Sequence, residues 1–170
     1  MPDPAEAMDL EIDPKEFRTV LGHFPTGVTV VAGVDDEGAH GLAVGSFFSV
    51  SLDPPLVGFC VGCESQSWAR ISHTGRFSVN VLSEHQSEIS RVFARSSGDK
   101  FAEIDWFASP ATGSPWITDA VAHIDCDLEH TYEGGDHSII VARVLTMQVH
   151  RSDHSPLIFF KGGYGRHVGL

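Results

Sequence analysis

The segment Gly41–Pro55, reading GLAVGSFFSVSLDPP, combines glycines that let a backbone approach a ligand closely with the hydroxyls of Ser46, Ser49 and Ser51, which can hydrogen-bond an anion. Such a stretch can cradle a phosphate. No Gly-Lys-Ser/Thr follows it and the Gly-x-Gly-x-x-Gly fingerprint is missing, so it is neither of the two common nucleotide loops, and a tight strand turn is the other reading of the same residues. Cys60-Val61-Gly62-Cys63 has the spacing of half a zinc site or of a thiol redox pair. There is no second Cys-x-x-Cys, and the motif falls at a strand end, so Cys60 reads as a small buried apolar residue and no metal site is expected. The chain has ten histidines, none in a His-Glu-x-x-His pattern. His137 stands apart because it follows Gly134-Gly135-Asp136 at a hairpin, where an imidazole able to act near neutral pH can project into a pocket; turn geometry alone is the competing explanation. No Gly-x-Ser-x-Gly elbow occurs, since Gly45-Ser46-Phe47 lacks the second glycine, and a serine hydrolase gains no support. The tryptophans and tyrosines are scattered and singly read as core.

Elements of recognisable pattern must position these residues. Asp13-Pro14-Lys15-Glu16 supplies an N-cap, a proline at the first helical position and an early carboxylate. Phe17, Val20, Leu21 and Phe24 follow at i, i+3, i+4 and i+7, an apolar helix face that has to pack on something. Val28 to Val34 alternate with period two, and Asp35-Asp36-Glu37-Gly38 makes a turn. Ala39–Val44, Phe47–Leu52 and Leu56–Val61 are β-compatible, the last two separated by Asp53-Pro54-Pro55. A short helix is expected over Ser67–His73, a strand over Phe77–Leu82, and a helix behind a capping box at Ser83-Glu84-His85-Gln86 with Ile89, Val92 and Phe93 on its apolar stripe. Ser96–Ser114 reads as a loop. Ala122–Leu128 and Ser138–Val149 form a hairpin around Glu133–Asp136, and Pro156–Phe160 is a last strand. About seven strands with hairpin spacing and three helices predict a mainly β (α+β) fold, an antiparallel closed or nearly closed barrel, over a doubly wound sheet.

With 170 residues, one domain suffices, and residues 1–12, acidic and containing proline and alanine, read as a disordered segment ahead of a domain over 13–170. The net charge of -12, from 11 lysines and arginines against 23 carboxylates, excludes a phosphate-neutralising nucleic-acid surface as the main function. No apolar run reaches a membrane span's length, and the acidic start lacks the parts of a signal peptide. A cytoplasmic protein with three reduced cysteines is expected.

Five stretches in order, Phe24–Val31 (FPTGVTVV), Ser46–Val57 (SFFSVSLDPPLV), Gly75–Leu82 (GRFSVNVL), Asp99-Lys100-Phe101 and Gly134–His137 (GGDH), resemble the flavin reductase family, the reductase components of two-component flavin-dependent monooxygenases. The resemblance runs from about Asp13 to Tyr164. It implies an FMN-binding split β-barrel, a homodimer with flavin near the subunit interface, and reduction of FMN or FAD by NADH or NADPH for a partner monooxygenase acting on an aromatic-type substrate. By position, Ala39, His40, Gly41, Leu42, Ala43, Gly45 and Ser46 match the segment along the flavin. Cys60, Val61, Gly62, Gln66 and Ser67 match the part that closes over it, and Phe93 lies on the supporting helix. Ser46 and Lys100 are implied phosphate ligands, His137 the nicotinamide-side residue, and Tyr164 a C-terminal neighbour of the same pocket. The chain reads Gly-Leu-Ala-Val-Gly-Ser where many relatives carry methionine, threonine and asparagine, so backbone groups must do more of the recognition, and FMN and FAD both stay open. An electron carrier or flavin chaperone of the same fold, and an interaction module using the acidic surface, are the alternatives.

Overall fold

The computed structural model describes residues 11–170, so the segment expected to be disordered lies almost wholly outside the described residues. Helix α1 (Pro14–Leu21) begins where its signals predict: Asp13 accepts from the Lys15 N–H at 2.9 Å and Pro14 fills the first turn. Strands β1 (Thr26–Gly27), β2 (Thr29–Asp35), β3 (Gly38–Val44), β4 (Phe48–Leu52) and β5 (Pro55–Gly62) follow. Helix α2 (Gln66–Thr74) is capped by Ser65, whose hydroxyl accepts from the Trp68 N–H, and ends at Gly75 in the left-handed region with φ 72°. Then come β6 (Arg76–Val81), α3 (Ser87–Phe93), β7 (Trp106–Ala108), β8 (Pro115–Ile117), the long hairpin β9 (Ala122–Gly134) and β10 (His137–Val149), β11 (Leu157–Phe160) and β12 (Gly163–Arg166).

Seven strands form one antiparallel sheet in the order β3-β2-β6-β9-β10-β5-β4, while β1-β11-β12 and β7-β8 make smaller ones. Strand pairing stops between β3 and β4, which makes the barrel split instead of closed. One side chain bridges the gap's end: the Ser46 hydroxyl donates to the Cys60 carbonyl at 3.1 Å and accepts from the Cys60 N–H at 2.8 Å, holding the chain after β3 against β5. Period-two alternation sorts β2 between two cores. Val31 joins Phe59, Trp68, Ile71 and Phe77 on one side, and Val30 and Ala32 join Leu82, Phe93 and Phe101 on the other.

Four local expectations are corrected. Ser83–Gln86 is not a first helical turn: the Ser83 N–H donates to Gln86 Oε1, but α3 starts one residue after Gln86 and has no side-chain cap. The Ser96–Ser114 loop contains β7, which pairs with β8 because buried polar groups recruit this hairpin to the sheet. Asn80 accepts the Ile117 N–H at 2.7 Å, Ser78 donates to the Pro115 carbonyl at 2.6 Å, and buried Asp125 accepts from the Ala111 N–H, Thr112 and the Trp116 indole. Tyr164 lies on a strand, β12, that the alternation did not reveal. Finally, among the described residues the apolar face of α1 is left without a covering element: Phe17, Val20 and Leu21 are all more than half exposed and no residue of the helix is buried.

Candidate functional site

Because β3 is an edge strand, its outer side is free to line a trough, and three adjoining cavities of about 440, 270 and 360 Å³ run along it. The first lies against Ala39, His40 and Gly41 and reaches Trp106 on β7. The second is walled by Leu42 and Ala43, by Gln66 and Ser67 at the start of α2, and by Phe93 and Arg95 at the end of α3. The third brings Gly45 and Ser46 opposite Cys60, Val61, Gly62 and His137. Ser67 and Lys100 are shared by the first two, and Leu42, Ala43 and Ser65 by the last two, so the three are parts of one groove.

Lys100 stands at its middle. Its ammonium donates to the Gly41 carbonyl at 3.0 Å, to the Ser67 hydroxyl at 3.2 Å and to the Phe93 carbonyl at 3.3 Å, all neutral acceptors. No carboxylate among the described residues is within ion-pair distance of it, and burial pushes its pKa below the usual lysine value. Beside it, the N–H groups of Gln66 and Ser67 occupy the first turn of α2, where backbone donors have no partner inside the helix and the dipole favours negative charge. A part-buried cation, free helical N–H groups and no counter-ion fit a phosphate.

Gly41 sets the depth of the groove. A Cβ there would fall 2.6 Å from Phe93 Cε1 and 2.9 Å from Cδ1, so the buried Phe93 ring occupies the space a side chain would need. At the outer end, His40 Nε2 lies 2.8 Å from Asp35 Oδ1 and Arg70 donates to the other oxygen at 2.9 Å; the guanidinium first, then the imidazole, hold the Asp35 carboxyl well below the usual range.

At the inner end, His137 is the first residue of β10 after a turn that needs Gly135 at φ 76°, and its Nδ1 is 2.7 Å from Asp136 Oδ1. That contact keeps the Asp136 carboxyl below its ordinary value and orients the ring, which is half exposed. Ser46 lines the same cavity, yet its one proton is directed at Cys60, which leaves it able to accept but not to donate there. Cys60 is half-buried, Cys63 exposed, and the buried Cys126 thiol is pushed up to about 12 by desolvation. Among the described residues no group of three or more His, Cys, Asp or Glu could hold a metal ion, and no helix is long and apolar enough to cross a membrane.

Of the residues that the resemblance placed in the site, Tyr164 alone lines none of the three cavities; Ser49 and Ser51 of β4 and Cys63, singled out for their chemistry, lie outside them as well. The Tyr164 hydroxyl lies 2.9 Å from Ser90 Oγ of α3, its ring sits under Arg91, and it packs against the core that holds Phe93. Ser65, Arg95 and Trp106 line the groove without having been picked out. Ser65 had a readable signal as a helix cap; Arg95 had only its charge, and Trp106 lay in the stretch read as loop.

The model of the flavin reductase like domain matches residues 21–167. The chain is 48% identical over 153 residues to a protein of Rhodococcus jostii named "Flavin-dependent monooxygenase, reductase subunit HsaB", covering 90% of this chain and 77% of that one. It is also 48% identical over 162 residues to a flavin reductase of Pseudomonas putida, covering 95% and 94%. Among solved structures, an NADH:FAD oxidoreductase of Streptomyces globisporus in complex with NAD and FAD fragments matches with TM-score 0.86 and 39% identity over 92% of this chain and 96% of that one.

Proposed function

The chain belongs to the family of flavin reductase-like domains, and on that premise we propose how its own residues serve the family's reaction, hydride transfer from NADH or NADPH to FMN or FAD that supplies reduced flavin to a monooxygenase. Lys100 carries the assignment of the groove to flavin: a part-buried ammonium among neutral acceptors needs an anion, and the phosphate of a flavin nucleotide is one. Lys100, Arg95 and the α2 N-terminus hold that phosphate. The unpaired edge of β3 takes the ring system along backbone N–H and C=O groups, and Phe93 packs against the strand at Gly41.

A bound flavin supplies N5 as the acceptor of the hydride that leaves C4 of the nicotinamide. His137 orients the nicotinamide side through hydrogen bonds, with Asp136 fixing its ring. Ser46 keeps the β3 end of the groove against β5, so the walls stay at the spacing that excludes water between stacked rings. No strong acid or base is required for hydride transfer, since the cofactors carry the chemistry and the groove has only to bind and orient them.

A homodimer belongs to the same reading. The exposed apolar side chains Phe17, Val20 and Leu21 of α1 and Phe24 after it, with Met147 and Val149 of β10 and Phe159 and Phe160 of β11, support a second copy as their cover. The location is the cytoplasm, and the partner is an oxygenase acting on an aromatic-type compound. Purified protein oxidising NADH or NADPH in parallel with FMN, FAD and no added flavin tests the activity, and sedimentation tests the dimer. Saturable turnover that needs flavin is expected from a species of twice the subunit mass. Flavin binding without turnover would favour an electron carrier, and a monomer would remove the role given to α1.

A further inference from the structure

A reductase of this kind must hold two phosphate-bearing nucleotides on a protein whose net charge of -12 repels both. Its cations are few, and their partners show where they are committed. Arg70, Arg76, Arg91, Arg143, Arg151 and Arg166 each pair with a carboxylate of the subunit. Among the described residues the other five have no carboxylate within ion-pair distance, and they gather in two places. Arg95 and Lys100 line the groove along β3. Lys15, Arg18 and Lys161 line a separate cavity of about 410 Å³ between α1 and the β11–β12 turn.

This second cavity is built, not a chance meeting of surface chains. Lys15, Arg18, Thr19 and Gly22 recur at i, i+3, i+4 and i+7, so they share one face of α1, roughly opposite the apolar face of Phe17, Val20, Leu21 and Phe24. A second copy covering the apolar face leaves the cationic one open. Lys161 comes from the turn, where it adopts φ 49° beside Gly162 at φ 78°, a left-handed conformation that disfavours any residue with a Cβ. The Lys161 N–H donates to the Gly22 carbonyl at 2.9 Å, which pins the turn to the end of the helix and aligns its cation with the other two. Arg18 also adds, after the larger effect of His137, to the influences that keep the Asp136 carboxyl below its ordinary value.

We propose that this cavity binds the phosphates of the reduced pyridine dinucleotide, with Arg18 and Lys161 as its principal ligands, while Arg95 and Lys100 serve the flavin. The proposal rests on reading the β3 groove as the flavin site. Its test uses Arg18→Gln and Lys161→Asn, the latter chosen because asparagine tolerates the left-handed turn. Calorimetric titration of the full chain with NAD+ and separately with FMN, together with NADH kinetics, gives the readout. Each substitution is expected to raise the NAD+ Kd and the NADH KM about tenfold, the loss expected of one charge-assisted contact, with the FMN Kd and kcat at saturation within about twofold. Repeating the kinetics with NADPH supports the site in either case, a loss confined to NADPH placing the 2′-phosphate in the cavity and an equal loss placing the pyrophosphate there. Unchanged NAD+ affinity, or equal weakening of NAD+ and FMN, overturns the assignment. Failure of the unaltered protein to oxidise NADH or NADPH with either flavin would instead overturn the reductase reading, so the two failures are distinguishable.

Discussion

Replacing Gly41 by alanine puts the groove's packing to a quantitative test. The new methyl would lie 2.6 Å from Phe93 Cε1, 2.9 Å from Cδ1 and 3.3 Å from Phe101 Cε2. Carbon atoms in favourable contact are about 3.5–4.0 Å apart, so the Phe93 ring must retreat by roughly 1 Å. It has little room, being buried and edge-on to Phe101 with ring centroids 4.9 Å apart. Forcing an extra methyl into such a site costs about 1–3 kcal/mol. For a domain of this size that is roughly 2–4 °C in Tm per kcal/mol, so a midrange loss lowers the melting temperature by about 4–8 °C. Phe93→Leu alone leaves space and also destabilises. Combined with Gly41→Ala, however, the methyl enters the vacated volume, and the pair should be more stable than the sum of the two losses predicts by about 1 kcal/mol. Urea unfolding followed by circular dichroism, without added flavin, measures all four corners of the cycle. A Gly41→Ala protein that melts within a degree of the parent, or losses that simply add, would refute the claim that Phe93 fixes the floor of the groove.

Lys100 predicts an alkaline limit on flavin affinity. Burial lowers its pKa, so in the window between its folded and unfolded values the folded chain binds fewer protons and this group makes the subunit more stable, not less, as pH rises. The phosphate contact weakens in the same window; the FMN Kd should therefore climb while unfolding free energy does not fall, and Lys100→Arg should move the climb to higher pH. A flat Kd in the parent protein contradicts the role given to Lys100. Ser46→Ala should speed amide exchange at Cys60 and cost about 1 kcal/mol while changing the FMN Kd less than Lys100→Met does; the reverse order would make Ser46 a phosphate ligand after all. His137→Ala should raise the NADH KM and slow hydride transfer by about tenfold each, with FMN affinity held; stopped-flow traces identical to the parent's would remove His137 from the nicotinamide side.

Much of this was legible in the sequence where local chemistry and burial agree. Asp13-Pro14 starts α1, the alternation of Val28–Val34 becomes β2, and Gly134-Gly135-Asp136 turns the β9–β10 hairpin. Within the segment Ala39–Ser46, whose small residues suit close backbone approach, β3 forms the free edge of the sheet with a groove beside it. What escaped depends on distant partners. β7 and β8 have three residues each, too few for a period to declare itself, and exist because Asn80, Ser78 and Asp125 draw the hairpin in. The Ser83–Gln86 box has the right letters, but the Ser83 backbone bridges to Pro156 and Glu84 pairs with Arg166, so the turn serves the sheet instead of the helix. Position near the C-terminus says nothing of the partner of Tyr164, which β12 brings to Ser90 of α3. The cationic face of α1 gains meaning only when Lys161 is brought beside it from the β11–β12 turn, a distant partner that helical periodicity does not show.

On the proposed site assignment, the free edge of β3 would tie the protein's survival to its substrate. An unpaired edge strand presents a row of backbone donors and acceptors to any passing chain, the usual starting point for aggregation and proteolysis. If flavin binds the groove as proposed, it also covers that edge, and any ligand bound only by the native state raises its stability by mass action. Cells short of flavin would therefore hold less of the enzyme as well as idling what they hold. Steady-state abundance would follow vitamin supply without any dedicated regulator, through degradation of chains whose edge stays bare.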